Sequence, residues 1–160
     1  MSIDVQRLRA EFPTLQHKAY INSGSYGLLA IEVQQAFERY LADRLECGAD
    51  WGKWVQLYED VRQRVALLLG ASTDEIAVTA SASAGLNALA SALSFTDGRD
   101  KIVVSDFEFP TSGQIWHAQE RAGARVEHVP ENAQGYIPLE AFERAIDERT
   151  RLVAISHVCY

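Results

Sequence analysis

The residues with the clearest potential for chemistry lie at positions 79–87, in the sequence TASASAGLN. Apolar and partly β-branched residues at 76–79 precede the small ones, as in a strand that is buried on both faces. Leucines then recur at helical spacing from Leu86 to Leu93. The segment 80–85 therefore joins a strand to a helix. Its small side chains let a ligand approach the free N–H groups of the helix start, where the helix dipole favours negative charge.

Two interpretations of this segment stay open from the residues alone. Ser81 is typical of a helix N-cap, and the segment is fully explained if it only begins a helix. The other interpretation is an anion site, in which backbone N–H groups and a serine hydroxyl bind a phosphate without any basic side chain.

Composition and charge limit the classes of function. The 160 residues are 48% hydrophobic and 23% charged, which is typical of a folded globular domain. The net charge of -7 and the lack of a basic run argue against a nucleic-acid partner. No apolar run is long enough to span a membrane and residues 1–13 resemble no signal or transit peptide, so we expect a cytoplasmic protein. Cys47 and Cys159 predict neither a metal site nor a disulfide.

The first 70 residues form a predicted helical segment with an N-terminal loop. Apolar periodicity predicts helices at 5–11, 31–46 and 52–69, the last ended by Gly70. A short strand is predicted at 18–21. It leads into the loop 22–27, whose glycines allow left-handed turns.

Residues 71–160 alternate between strand and helix patterns, and we assign them to a second domain. Strands are predicted at 76–79, 101–105, 125–130 and 151–158, with helices at 82–93, 112–122 and 139–147. This order predicts an α/β fold of three layers, α/β/α, with a mainly parallel sheet and right-handed crossovers. Ligands bind such sheets at the carboxyl ends of the strands. The residues expected to converge there are Ser81, Ala82, Ser83, 106–112 and 159–160.

Three segments, in this order and at this spacing, resemble the class V aminotransferase branch of the PLP-dependent fold type I enzymes. They are YINSGSYG at 20–27, TASASAGLN at 79–87 and DFEFP at 106–110. The sequence from Gly135 to Val158 follows the same family's spacing. The branch includes cysteine desulfurases, kynureninases and epimerase-like proteins, so the resemblance implies the large domain of a fold type I enzyme.

The resemblance also implies a cofactor, pyridoxal 5'-phosphate (PLP), and residues that bind it. Ala82 and Ser83 correspond to the two consecutive residues that bind the cofactor phosphate, and Phe109 to the residue that stacks on its ring. Tyr160 falls where desulfurase-type members carry an asparagine near the phenolic oxygen, which weakens a desulfurase assignment, although tyrosine is also a hydrogen-bond donor. His157 is either a site residue or a histidine satisfied at a sheet end. No catalytic residue and no metal ligand is assigned.

Two functional residues of the family lie beyond position 160 in this comparison. They are the aspartate that pairs with the pyridinium nitrogen and the Schiff-base lysine, and Lys18, Lys53 and Lys101 match neither. The strand at 151–158 also ends without a helix to cover it. We therefore expect a truncated, incomplete large domain that is inactive alone.

Three hypotheses of function follow. The first is the N-terminal portion of a PLP-dependent enzyme that acts on an amino acid as a homodimer. Its reaction type stays open among transamination, epimerisation, elimination and desulfuration. The second is a free-standing α/β module that binds a phosphorylated ligand at Ser81 to Gly85. The third is a structural remnant that binds nothing.

Overall fold

The computed structural model describes residues 3–159, and the chain divides into two compact units, Met1–Ile76 and Ala77–Tyr160. The first unit is helical, with α1 (Val5–Ala10), α2 (Ile31–Cys47) and α3 (Trp51–Leu69), and short 3-10 turns at Pro13–Gln16 and Thr73–Glu75. The carboxylate of Asp50 begins α3 by accepting the Lys53 N–H at 3.0 Å. Gly70 ends it in the left-handed conformation, with φ 67°, as the sequence predicts.

The second unit alternates helices and strands. Its elements are α4 (Ala82–Ala92), β1 (Lys101–Ser105), α5 (Pro110–Ala118), β2 (Arg125–Val129), α6 (Leu139–Ala145) and β3 (Thr150–Ala154). The strands form one sheet in the order β2-β1-β3, and β1 pairs with both neighbours in parallel. The predicted parallel sheet is confirmed for these strands.

The core of this unit lies on both faces of the sheet, because successive side chains of β1 point to opposite faces. Ile102 and Val104 pack with α4 and α5, where Trp116 is the largest buried side chain. Val103 packs on the other face with residues of α6, including Ala145. The three-layer α/β/α arrangement is therefore confirmed.

Two predicted strands are wrong. Residues 76–79 form no strand: Ile76 has extended backbone angles, but its carbonyl accepts the Arg62 guanidinium at 2.9 Å instead of a ladder bond. Residues 18–21 form none either, because the Lys18 N–H closes a turn on the Thr14 carbonyl at 3.0 Å. The loop 22–27 does not use the left-handed turns that its glycines allow, since neither Gly24 nor Gly27 has a positive φ.

Other element bounds shift in ways that matter for the site. The helix α5 begins at Pro110, two residues before the prediction, since proline is favoured in the first helical turn. A 3-10 turn at Gln119–Ala122 follows it. The strand β3 ends at Ala154, so residues 155–159 extend beyond the sheet. None of the helices between residues 3 and 159 is long and apolar enough to cross a membrane.

Candidate functional site

The start of α4 presents two adjacent backbone donors. Ser81 is the N-cap, and its hydroxyl accepts the Ala84 N–H at 3.1 Å, as the capping interpretation predicts. The Ser81 carbonyl accepts the Gly85 N–H at 3.1 Å, which closes the first turn. This leaves the N–H groups of Ala82 and Ser83, which have no acceptor within the described part of the chain. The Ser83 hydroxyl likewise has no partner there.

These donors line an open cavity of about 520 Å³ beyond the carboxyl ends of β1 and β3. Phe109, directly before α5, lines the same cavity and is 56% exposed. The structure thus brings together three of the four predicted cofactor residues. Most of the remaining lining is apolar; it includes Leu86, Leu89, Trp116, Leu152 and Ala154.

The fourth predicted cofactor residue, Tyr160, lies outside the described residues. Two other candidates lie in the segment that follows β3. His157 is exposed in a bend, and the Cys159 thiol contacts the Ser156 carbonyl at 3.9 Å. Neither His157 nor Cys159 is among the described residues that line the cavity.

Glu108 is the one ionisable side chain among the described residues that line the cavity. Its carboxylate accepts the backbone N–H of Ser156, and the Ser156 hydroxyl at 3.1 Å. It also accepts the Ser105 hydroxyl at 3.2 Å. Sequence reasoning placed residues 106–112 at this edge but did not single out Glu108, because its partner is 48 residues away.

Asp106 lies at the same end of the sheet but in a different cluster. Its carboxylate is 2.9 Å from His128 Nδ1, and His128 Nε2 is 2.9 Å from His117 Nε2. The ring planes are 18° apart and the centroids 5.1 Å apart, much further than the facing nitrogens, so the rings meet edge to edge. This chain of contacts fastens α5 to the edge strand β2. The contact depends on the register that pairs Val104 with His128, which no spacing in the sequence gives.

A cluster of charged side chains lies at the opposite, amino end of the sheet. The buried Lys101 ammonium donates to the Ala145 carbonyl, and lies 2.9 Å from Asp147 and 3.2 Å from Glu127. Burial disfavours its charge, but hydrogen bonds with Asp147 and Glu127 outweigh that effect and raise the pKa of Lys101. The hydrogen bond with Lys101 lowers the pKa of Asp147. The cluster therefore fastens the end of α6 to β1, away from the cavity.

The arrangement at the carboxyl end fits one kind of ligand. Adjacent free N–H groups, a hydroxyl and the dipole of α4 favour an anion. An exposed phenylalanine beside them offers a surface for a planar ring. The cavity is therefore suited to a molecule that carries a phosphate on an aromatic ring.

The comparisons with known proteins agree on one family. The sequence model of the aminotransferase class-V family matches residues 32–159. The chain is 33% identical over 155 residues to the "Uncharacterized aminotransferase YcbU" of Bacillus subtilis (strain 168), covering 97% of this chain and 41% of that protein. It is 29% identical over 173 aligned positions to a cysteine desulfurase of Enterobacter sp. (strain 638), covering 99% and 43%. The chain thus spans about two fifths of the length of these relatives.

Solved structures share the fold. A mutant of C-DES with glycine covalently linked to its PLP cofactor superposes with a TM-score of 0.84 over 95% of this chain and 41% of that one, at 24% identity. The apo cysteine desulfurase of Thermococcus onnurineus NA1 superposes with a TM-score of 0.76 over 99% and 41%, also at 24% identity. The fold predicted from the sequence is confirmed, and the chain belongs to the aminotransferase class-V family.

Proposed function

We propose that this chain is the N-terminal portion of a PLP-dependent enzyme that acts on an amino acid, and that it supplies the phosphate-binding part of the cofactor site. One observation carries the proposal: the N–H groups of Ala82 and Ser83 are unpaired among the described residues, and they line a cavity together with Phe109. Relatives named as aminotransferases and cysteine desulfurases support PLP as the cofactor of the complete enzyme.

The residues present fit the two ends of PLP. The phosphate is a dianion, and at the start of α4 it would receive the two N–H groups and the Ser83 hydroxyl as charge-assisted hydrogen bonds. Phe109 would stack on the pyridine ring. Leu86, Leu89 and Leu152 line the same cavity and would give the rest of the ring an apolar contact surface.

When bound, PLP supplies an electron sink for carbanions formed on an amino acid. This chain's own residues bind and orient it. Among the described lining residues only Glu108 is ionisable, and its carboxylate is engaged by Ser156 and Ser105. The groups that move protons and hold the cofactor covalently are therefore assigned to the rest of the enzyme.

We extend the proposal to a homodimer. The first unit carries large apolar side chains that are exposed on α2 and α3, among them Phe37, Leu41, Leu45, Trp51 and Leu68. Phe37, Leu41 and Leu45 recur every four residues and so share one face of α2, and an exposed apolar stripe of this kind is typical of an interaction site. A second copy is the partner we propose, and analytical ultracentrifugation of the complete enzyme tests it: a monomer at micromolar concentration would contradict it.

The phosphate site is tested by replacing the hydroxyl of Ser83. In the complete enzyme, Ser83→Ala should weaken PLP binding, since losing a hydrogen bond to a charged group costs about 1.5 to 3 kcal/mol. That corresponds to roughly ten- to a hundredfold in Kd. The measurement is a titration of the apoenzyme with PLP, followed by cofactor absorption, with circular dichroism to confirm folding.

Ser91→Ala is the matched control. Ser91 is on the same helix, and its hydroxyl donates to the Ala88 carbonyl at 2.8 Å outside the cavity. Its removal should leave PLP affinity unchanged. If the folded Ser83→Ala enzyme binds PLP as tightly as the Ser91→Ala enzyme does, the start of α4 is an ordinary helix end and the phosphate-site assignment is wrong.

A further inference from the structure

The side chain of Glu108 fastens the loop between β1 and α5 to the segment after β3. Its carboxylate accepts the Ser156 N–H, the Ser156 hydroxyl at 3.1 Å and the Ser105 hydroxyl at 3.2 Å. Ser105 is the last residue of β1, and Ser156 is two residues beyond β3. Glu108 therefore ties together the carboxyl ends of two neighbouring parallel strands.

This position connects Glu108 to the ring-stacking residue. Phe109 is the next residue in the chain, and its carbonyl begins α5 by accepting the N–H groups of Ser112 at 2.8 Å and Gly113 at 3.2 Å. The Glu108 N–H also donates to the Ser105 carbonyl at 3.3 Å. Phe109 is thus held from its helix side by α5 and from its loop side by Glu108.

The hydrogen bonds of Glu108 are stronger than most contacts around the cavity. A carboxylate that accepts N–H and O–H donors forms charge-assisted bonds, which are about twice as strong as neutral ones. Residues 155–159 lie outside the sheet, so the backbone hydrogen bonds between strands do not fix them. The two hydrogen bonds from Ser156 to Glu108 hold the start of that segment beside the cavity.

We propose that Glu108 is a positioning residue of the cofactor site, which acts by fixing Phe109 and Ser156 in the lining of the cavity rather than by touching reacting atoms. The inference rests on the proposed function, because it assigns the cavity to PLP. It goes beyond that function by naming the side chain that orders the mouth of the cavity. The competing explanation is that Glu108 only stabilises the sheet.

The test compares Glu108→Ala, Glu108→Gln and Ser156→Ala in the complete enzyme. Glu108→Ala should weaken PLP binding about tenfold and alter the visible circular dichroism of the bound cofactor, which reports how the ring is held. Glu108→Gln keeps one acceptor for the Ser156 N–H and should recover part of both signals. Ser156→Ala removes one of the three hydrogen bonds and should give a smaller change of the same kind. Glu143→Ala, an exposed acid on α6, is the control and should behave as wild type.

The outcomes separate positioning from stability. Far-ultraviolet circular dichroism and Tm are measured on every variant. Variants that keep wild-type PLP affinity and wild-type cofactor dichroism overturn the inference, whatever their Tm. Should Glu108→Ala fail to fold, Glu108→Gln and Ser156→Ala decide by the same two signals. A wild-type enzyme that does not bind PLP overturns the proposed function, and the inference with it. Wild-type binding that no variant changes overturns the inference alone.

Discussion

Phe109 lines the candidate site, and its chemistry limits what it could contribute there. A phenyl ring stacks on a planar ligand but neither donates nor accepts a proton, so its contribution to binding is confined to contact and stacking. Removal of the ring by Phe109→Ala should cost about 1 kcal/mol of stacking, or about fivefold in the Kd for PLP. This is less than the loss expected for Ser83→Ala.

Phe109→Tyr keeps the aromatic face and serves as the control for the stacking prediction. A titration of the complete enzyme with PLP should give this variant nearly wild-type affinity. If Phe109→Ala binds PLP as tightly as Phe109→Tyr does, then the ring is a surface residue beside the cavity and the stacking assignment is wrong.

At the scale of residues, topology predicted which side chains share the site, while packing decided how they are held. Ala82 and Ser83 begin α4, and Phe109 lies between β1 and α5, so the alternation of elements predicted that these residues meet at one edge of the sheet. The contacts of Glu108 with Ser156 were not predictable. These contacts depend on the relative positions of two loops that have no regular pattern, and no spacing in the sequence predicts those positions.

Asp147 shows how an element is held by charge at the other end of the sheet. Its hydrogen bond with Lys101 lowers the pKa of Asp147 below the unfolded value of about 3.9. A group with a depressed folded pKa stabilises the fold above the unfolded value, and this stabilisation is lost as the pH falls below about 4. Asp147→Asn should therefore lower the free energy of unfolding at pH 7, and make its decline between about pH 5 and pH 3 shallower.

Urea unfolding at a series of pH values measures this effect. Glu148→Gln is the matched control, because Glu148 is the exposed neighbour on the same turn. It should follow the wild-type curve. A wild-type slope in Asp147→Asn would show that the contact with Lys101 contributes nothing to acid sensitivity.

At the scale of elements, periodic patterns were predictable and non-local pairing was not. The helices α2 and α3 agree with their predicted spans to within one residue at each end, because amphipathic periodicity is a local property. Residues 76–79 have the composition of a strand, yet no described segment pairs with them. A strand forms only beside a hydrogen-bonded neighbour, and the residues of one segment do not indicate whether such a neighbour is present.

At the scale of the whole molecule, the described residues that line the cavity include no lysine. Lys101 begins β1, four residues before the end that meets the cavity, about 13 Å along the strand. Its ammonium also forms ion pairs with Asp147 and Glu127 and donates a hydrogen bond to the Ala145 carbonyl. The other two lysines, Lys18 and Lys53, belong to the first unit, where Lys53 pairs with Asp43.

The 160-residue chain by itself should therefore form no specific covalent adduct with PLP, and should have neither aminotransferase nor desulfurase activity. Borohydride reduction after PLP addition, followed by mass analysis of peptides, should label no lysine stoichiometrically. The complete enzyme is the positive control and should show one labelled lysine outside residues 1–160. Lys101 should resist labelling most, because deprotonating it requires breaking a buried cluster in which its pKa is raised. A single saturable adduct on Lys18, Lys53 or Lys101 would place the covalent site within this chain. It would contradict the proposal that the rest of the enzyme binds PLP covalently.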